Sequence, residues 1–185
     1  MTLTTLQSEP RMTKDLAQEL AQRVQRIKPS STLAVAARAE ELRAEGRDII
    51  SLSIGEPDFD TPQHIKDAAI AATNAGHTKY TPVDGTKTLI KAIIDKFARE
   101  NNLHYEAKQI LVSCGAKHSL YNLFSAILNP GDEVIIPAPY WVSYPDMVLL
   151  VEGMPKIITT TVDQHFKVTA AQLEAAITPN TKALI

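Results

Sequence analysis

The chain has one cysteine, Cys114, so no internal disulfide can form. Its five histidines, at positions 64, 77, 104, 118 and 165, show no metal-ligand spacing and have no cysteine set beside them, so no metal site is expected. No apolar run approaches the ~20 residues that a membrane-spanning helix needs. Residues Met1–Lys14 lack the apolar stretch of a secretory signal. A formal net charge of −2 gives no hint of a nucleic-acid footprint, for which a basic stripe is the usual sign. Neither GxGxxG nor GxxxxGK[ST] occurs, which disfavours a dinucleotide fold and excludes a P-loop. No Ser-His-Asp arrangement stands out. Together these absences point to a reducing, cytoplasmic setting with neither nucleic acid nor membrane as a partner.

What remains is ordinary globular material. The chain has 185 residues, 44% hydrophobic and 22% charged, enough for one domain that buries roughly 70% of its unfolded surface.

Residues 1–12 carry little pattern. From Thr13, Leu16, Leu20, Val24 and Ile27 recur at helical spacing until Lys28-Pro29 stops the run. A second helix is predicted over 32–45, with Gly46 as its stop, and 48–54 reads as a short extended segment. The run Gly55-Glu56-Pro57-Asp58-Phe59-Asp60 cannot be regular structure. Thr61-Pro62 reads as an N-cap followed by proline at the first helical position, opening a helix that ends near Gly76. A loop over 77–85 closes with an Asp84-Gly85 turn, and Thr86 can cap a helix whose Leu89, Ile90, Ile93, Ile94 and Phe97 form an apolar stripe.

Beyond that point the texture changes. Strands are predicted over 110–113, 133–137, 156–161 and 182–185, with helices over 117–128 and 169–177 between them. Thr169 and Gln172 fit a capping box. Strands alternating with helices imply a largely parallel sheet covered on both faces. The last strand has no crossover after it, so the chain is expected to be the front part of a longer protein.

Two short motifs carry chemistry. Cys114-Gly115-Ala116-Lys117 follows a predicted strand and opens a helix, where unpaired N–H groups and partial positive charge suit a phosphate. An ordinary tight turn is the competing explanation. Lys117 opposes the helix dipole at a cost of order ~0.3–1 kcal/mol, which an anionic ligand would explain and a solvated surface lysine would not need. Pro137-Ala138-Pro139-Tyr140-Trp141 holds the chain extended past a strand's C-terminal end, where open α/β sheets bind ligands. Trp141, the sole tryptophan, could stack there on a planar cofactor or could pack in the core. Gly55 could bring backbone N–H close to a carboxylate, and Tyr80 stands in the polar loop Lys79-Tyr80-Thr81-Pro82.

Taken in order, these segments resemble the class I aminotransferases, pyridoxal-phosphate enzymes of fold type I, and the bacterial aspartate aminotransferases most of all. The resemblance runs from about Arg23 to Ile185. It is carried by Lys28-Pro29-Ser30, Ile54–Pro62, Lys79–Pro82, Gly115–Lys117, Asn129–Val134 and Pro139–Pro145. It implies a three-layer α/β/α architecture preceded by a helical arm, with 1–54 as arm and small-domain segment and 55–185 as the first part of the large cofactor-binding domain. The backbone amides of Ala116 and Lys117, in the turn opened by Gly115, would hold the phosphate of pyridoxal 5'-phosphate. Trp141 would stack on its ring. Tyr80 would reach the cofactor phosphate of a neighbouring subunit in a homodimer. Gly55 would meet the substrate's α-carboxylate. Lys117, beside Trp141, would help to recognise acidic substrates, aspartate or glutamate, in exchange with a 2-oxo acid.

The resemblance also marks what these residues lack. None of the twelve lysines lies in an S-x-[SA]-K motif, so the Schiff-base lysine is expected beyond Ile185, and no catalytic residue is assigned. The alternatives are a catalytically inactive fragment or interaction module, and a nucleotide-binding α/β domain.

Overall fold

A computed structural model describes residues 20–185. The expectations for residues 1–12 and for the front of the first helix lie outside the described residues. The described chain divides into two compact units, one built from 20–28 with Phe124–Ile185, the other from Pro29–Leu123.

The first unit holds most of the buried core. After helix α1, Gln22–Gln25, its main elements are strand β1, Glu133–Ala138, strand β2, Met154–Thr159, and strand β3, Thr181–Leu184. They form a parallel sheet in the order β2-β1-β3. Central β1 reads Val134-Ile135-Ile136, all three fully buried, as a parallel strand covered on both faces requires. Ile135 packs with Ile158 of β2 and with Ala176 and Leu173 of a C-terminal helix, Ala170–Ala176. Its neighbours Val134 and Ile136 point to the opposite face and are also buried, so helices or loops cover both sides. Thr169 caps the C-terminal helix by accepting from the Gln172 N–H at 3.2 Å, and the expected capping box is present.

Another helix, Ser143–Leu150, lies between β1 and β2 and buries Met147 and Val148. The sequence reading missed it. It has no side-chain cap at its start, and Pro145 sits in its first turn, where a missing N–H costs nothing.

At the mouth of the sheet, the Glu133 carboxylate accepts from the Thr178 hydroxyl at 2.6 Å, the Thr181 hydroxyl at 3.4 Å and Lys156 Nζ at 3.5 Å. One side chain thus ties β1 to both neighbours. The Thr178 hydroxyl is the main cause that holds this carboxyl below the ordinary glutamate range; desolvation opposes it, and the Lys156 charge adds to it.

The second unit is mainly helical. Helix α2, Ser31–Ala44, is capped by Ser30, whose hydroxyl accepts from the Leu33 N–H. Helix α3 covers Gln63–Asn74. Here Pro62, not Thr61, takes the N-cap position, and no side chain caps the helix, which corrects the expected Thr61 cap. Helix α4 covers Lys87–Asn101, with the Thr86 hydroxyl accepting from the Leu89 N–H at 3.3 Å as expected. Of its apolar stripe, Ile90 is the residue that is fully buried. Helix α5, Ala116–Ile127, runs across the division between the units.

The strand predicted over 110–113 is not formed among the described residues. Ile110 has extended dihedrals, but the sheet has three strands and this segment is in none of its ladders. The Val112 N–H instead donates to the Asp84 carbonyl at 3.0 Å. An extended backbone becomes a strand only when a neighbour pairs with it.

Candidate functional site

In the helical unit, the candidate residues sit on three irregular segments. The turn at 113–116 leads into α5. The Gly115 N–H donates to the Ser113 carbonyl at 2.8 Å, and the Ser119 N–H donates to the Gly115 carbonyl at 3.2 Å. The Cys114 N–H donates to His118 Nδ1 at 3.2 Å, which leaves the imidazole proton, when the ring is neutral, on Nε2. Gly115 has φ +92°, a conformation that favours glycine, and a Cβ built on it would meet no atom within 4 Å. The start of α5 is therefore open on the side of Gly115. The first N–H groups of a helix have no acceptor within it, and Ala116 and Lys117, the first two residues of α5, are exposed, whereas the Gly115 N–H is taken by Ser113. A phosphate suits such a set of donors. The turn follows an unpaired extended segment rather than a strand of the sheet, which corrects the expected strand-turn-helix order.

Tyr80 lies in the loop between α3 and α4 and is fully exposed. Gly55 lies in an irregular segment, as expected, and no atom stands within 4 Å of a Cβ built on it. Beside it is a cleft of about 290 Å³ whose walls include Arg43, Ser51, Ser53 and Glu56. Arg43 is held there by its bonds to the Ile49 carbonyl, at 3.2 and 3.4 Å.

Trp141 belongs to the sheet-bearing unit. It follows the C-terminal end of β1 by three residues and is 46% exposed, so it is not a core tryptophan. Its carbonyl accepts from the Tyr144 N–H at 3.0 Å, at the start of the helix Ser143–Leu150. The peptide bond Ala138-Pro139 before it is cis. The Ala138 carbonyl accepts twice from Thr160, from the hydroxyl at 2.5 Å and from the N–H at 3.2 Å. Thr160 is buried and fixes the root of the loop that carries Trp141. Sequence reasoning missed it, since a threonine after a strand has no local signature for a partner 22 residues away.

The family model for "Aminotransferase class I and II" matches residues 47–185. The chain belongs to this family. The aspartate/prephenate aminotransferase of Nitrosomonas europaea is 60% identical over 167 residues, covering 90% of this chain and 42% of the relative. The aspartate aminotransferase of Geobacillus stearothermophilus is 56% identical over the same shares. Among solved structures, the aspartate aminotransferase of Rhizobium meliloti has TM-score 0.85 and 51% identity, covering 89% of this chain and 41% of that one. The Thermus thermophilus enzyme solved with maleate has TM-score 0.85 and 49% identity, covering 89% and 43%. The chain thus spans about two fifths of the length of the aminotransferases it matches. Its parallel sheet with helices is the fold of these enzymes, the fold type I expected from the sequence.

Among the described residues, no group of three or more His, Cys, Asp or Glu could hold a metal ion, and no helix is long and apolar enough to cross a membrane.

Proposed function

We propose that these residues are the N-terminal portion of a pyridoxal-phosphate aminotransferase that moves an amino group between an acidic amino acid, aspartate or glutamate, and a 2-oxo acid. The observation that carries this reading is the 60% identity to an aspartate/prephenate aminotransferase over 90% of the chain. The cofactor, when bound, supplies the electron sink that lets the amino acid's α-proton leave. The amides of Ala116 and Lys117, in the turn opened by Gly115, hold its phosphate. Trp141 stacks on its ring and limits water on that side. Gly55 meets the substrate's α-carboxylate with backbone N–H, and Lys117 contributes a charge-assisted contact to the distal carboxylate. Tyr80, fully exposed here, reaches the cofactor phosphate of the second subunit of a homodimer. Residues 1–54 serve as arm and small-domain segment, 55–185 as the first part of the large domain, and the protein works in the cytoplasm.

These 185 residues contain no S-x-[SA]-K lysine, so by themselves they supply a phosphate cradle and a stacking ring but no proton-transfer base. Two measurements test the reading. In a polypeptide that continues this sequence to the relatives' length, kcat/KM for aspartate should exceed that for an aromatic amino acid, and Lys117→Ala should shrink that ratio; an unchanged ratio removes Lys117 from substrate recognition. The 185-residue chain, incubated with pyridoxal phosphate and dialysed, should retain no stoichiometric cofactor absorbance and show no amino transfer. Retained absorbance with turnover would mean that one of the twelve lysines present can serve.

A second acceptor is suggested by name. Prephenate is itself a 2-oxo acid with a second carboxylate, and relatives from Nitrosomonas europaea and Cereibacter sphaeroides carry it in theirs. Prephenate therefore belongs beside the simpler 2-oxo acids in the acceptor panel.

A further inference from the structure

The Asp84-Gly85 turn touches the segment that leads into the Gly115 turn. Gly85 has φ +115°, and a Cβ on it would stand 2.7 Å from Val112 Cγ2 and 3.0 Å from Val112 Cβ, closer than real Cβ atoms come. The Val112 N–H donates to the Asp84 carbonyl at 3.0 Å in the same contact. On one side of this contact, the Gly85 N–H donates to the Pro82 carbonyl at 3.1 Å, which closes the end of the loop bearing Tyr80. Thr86 next to it caps α4, and Ile90, the buried residue of α4, lies 3.8 Å from the Gly85 Cβ position. On the other side, Val112 stands three residues before Gly115. The turn between is cross-tied by Gly115 to Ser113 and by Cys114 to His118. A displacement at Val112 is therefore carried to the start of α5 instead of being absorbed on the way.

We infer that Gly85 is a positioning residue, whose missing side chain lets the 82–86 turn seat against Val112 and so sets the geometry of the phosphate-holding turn at 115–117. The inference rests on the reading of that turn as a phosphate cradle. It adds a second consequence: the loop that bears Tyr80 and the turn that opens α5 share one contact, so whatever loosens the first shifts the second.

The test uses the 15N-labelled 185-residue chain as wild type, Gly85→Ala, Val112→Ala and the double variant, with inorganic phosphate as the probe. In Gly85→Ala the amide resonances of Ser113–Lys117 should move, and phosphate affinity read at those amides should weaken on the order of tenfold, about 1.4 kcal/mol. Val112→Ala removes the Cγ2 that clashes at 2.7 Å, so the double variant should regain part of both. If glycine is needed at position 85 only for its positive φ, the two substitutions will simply add, and the positioning role is overturned. Should Gly85→Ala not fold, Val112→Ala alone decides. It should speed amide exchange of Ser113–Lys117 relative to the amides of α4, and equal rates in both would refute the brace. A wild type whose amides at 115–117 ignore phosphate would overturn the cradle and the ligand half of this inference, while the amide shifts and exchange rates still report on the brace.

Discussion

Replacing Thr160 by valine isolates one hydrogen bond at the root of the Trp141 loop. The hydroxyl donates to the Ala138 carbonyl at 2.5 Å from a side chain that is only 7% exposed. Valine keeps the branched shape and removes the donor. The Ala138 carbonyl is not orphaned, because it retains the bond from the Thr160 N–H at 3.2 Å. The loss should therefore be near that of one ordinary hydrogen bond, about 1 kcal/mol, without the added penalty of a buried acceptor left bare. For a slope of ~1–3 kcal/mol/M in urea, that moves the unfolding midpoint down by roughly 0.3–1 M. Trp141 is the sole tryptophan, so its emission reports on this loop without interference. Thr160→Val should raise the acrylamide quenching of the folded chain as the loop root loosens. Thr160→Ser keeps the hydroxyl and loses a methyl, so it should lower the midpoint for want of packing yet leave quenching unchanged. If valine alters neither the midpoint nor the quenching, the hydroxyl does not hold the loop.

Three further outcomes follow from the sheet-bearing unit. Gly153→Ala places a Cβ 2.9 Å from Val148 Cγ1 and 3.2 Å from Leu128 Cδ1, and overpacking of this kind should cost about 1–3 kcal/mol in thermal unfolding, with no loss meaning that these side chains shift freely. Glu133 has a folded-state proton affinity below that of the unfolded chain, through the Thr178 hydroxyl first and the Lys156 charge after it. Its stabilisation is present above the ordinary glutamate range and is lost as pH falls through the depressed folded value. The urea midpoints of wild type and Glu133→Gln should thus converge in acid, and a gap independent of pH would contradict the assignment. Among the described residues β3 pairs only with β1, and Leu184 on it is half exposed; Leu184→Lys should lower light scattering of the concentrated chain, and unchanged scattering would clear this open edge of blame.

The parts of the fold that were legible share a property: their signals are complete within a few residues. Thr169 with Gln172, Thr86 before Leu89 and Gly46 after α2 each announce a helix boundary through a side chain or a φ value that acts locally. The apolar run Val134-Ile135-Ile136 announces a buried strand for the same reason. The helix Ser143–Leu150 lacked such a signal, having no cap and a proline in its first turn. Thr61-Pro62 offered the right residues one position away from where the helix used them. The motif residues Gly115, Ala116, Lys117, Trp141, Tyr80 and Gly55 were legible as an ordered set, although neither a positive φ nor an exposed ring says which ligand it serves.

The misses lie where a residue matters through a distant partner. Ile110 has strand dihedrals, yet no ladder includes its segment, and its neighbour Val112 binds Asp84, 28 positions earlier in the sequence. Nothing in the letters at 110–113 distinguishes a segment that pairs from one that is held by a turn. Thr160 in the sheet-bearing unit and Gly85 in the helical unit are the same case, each taken within its own unit. Each looks like punctuation in the sequence, a polar residue after a strand and a glycine in a turn. Each gains its role only when the chain brings it against Ala138 or Val112. The motif residues can be read from short stretches because a turn with a positive φ or an exposed ring is a local feature. The residues that hold those motifs in place are recognised by the rest of the protein, and their identity becomes visible only with the fold.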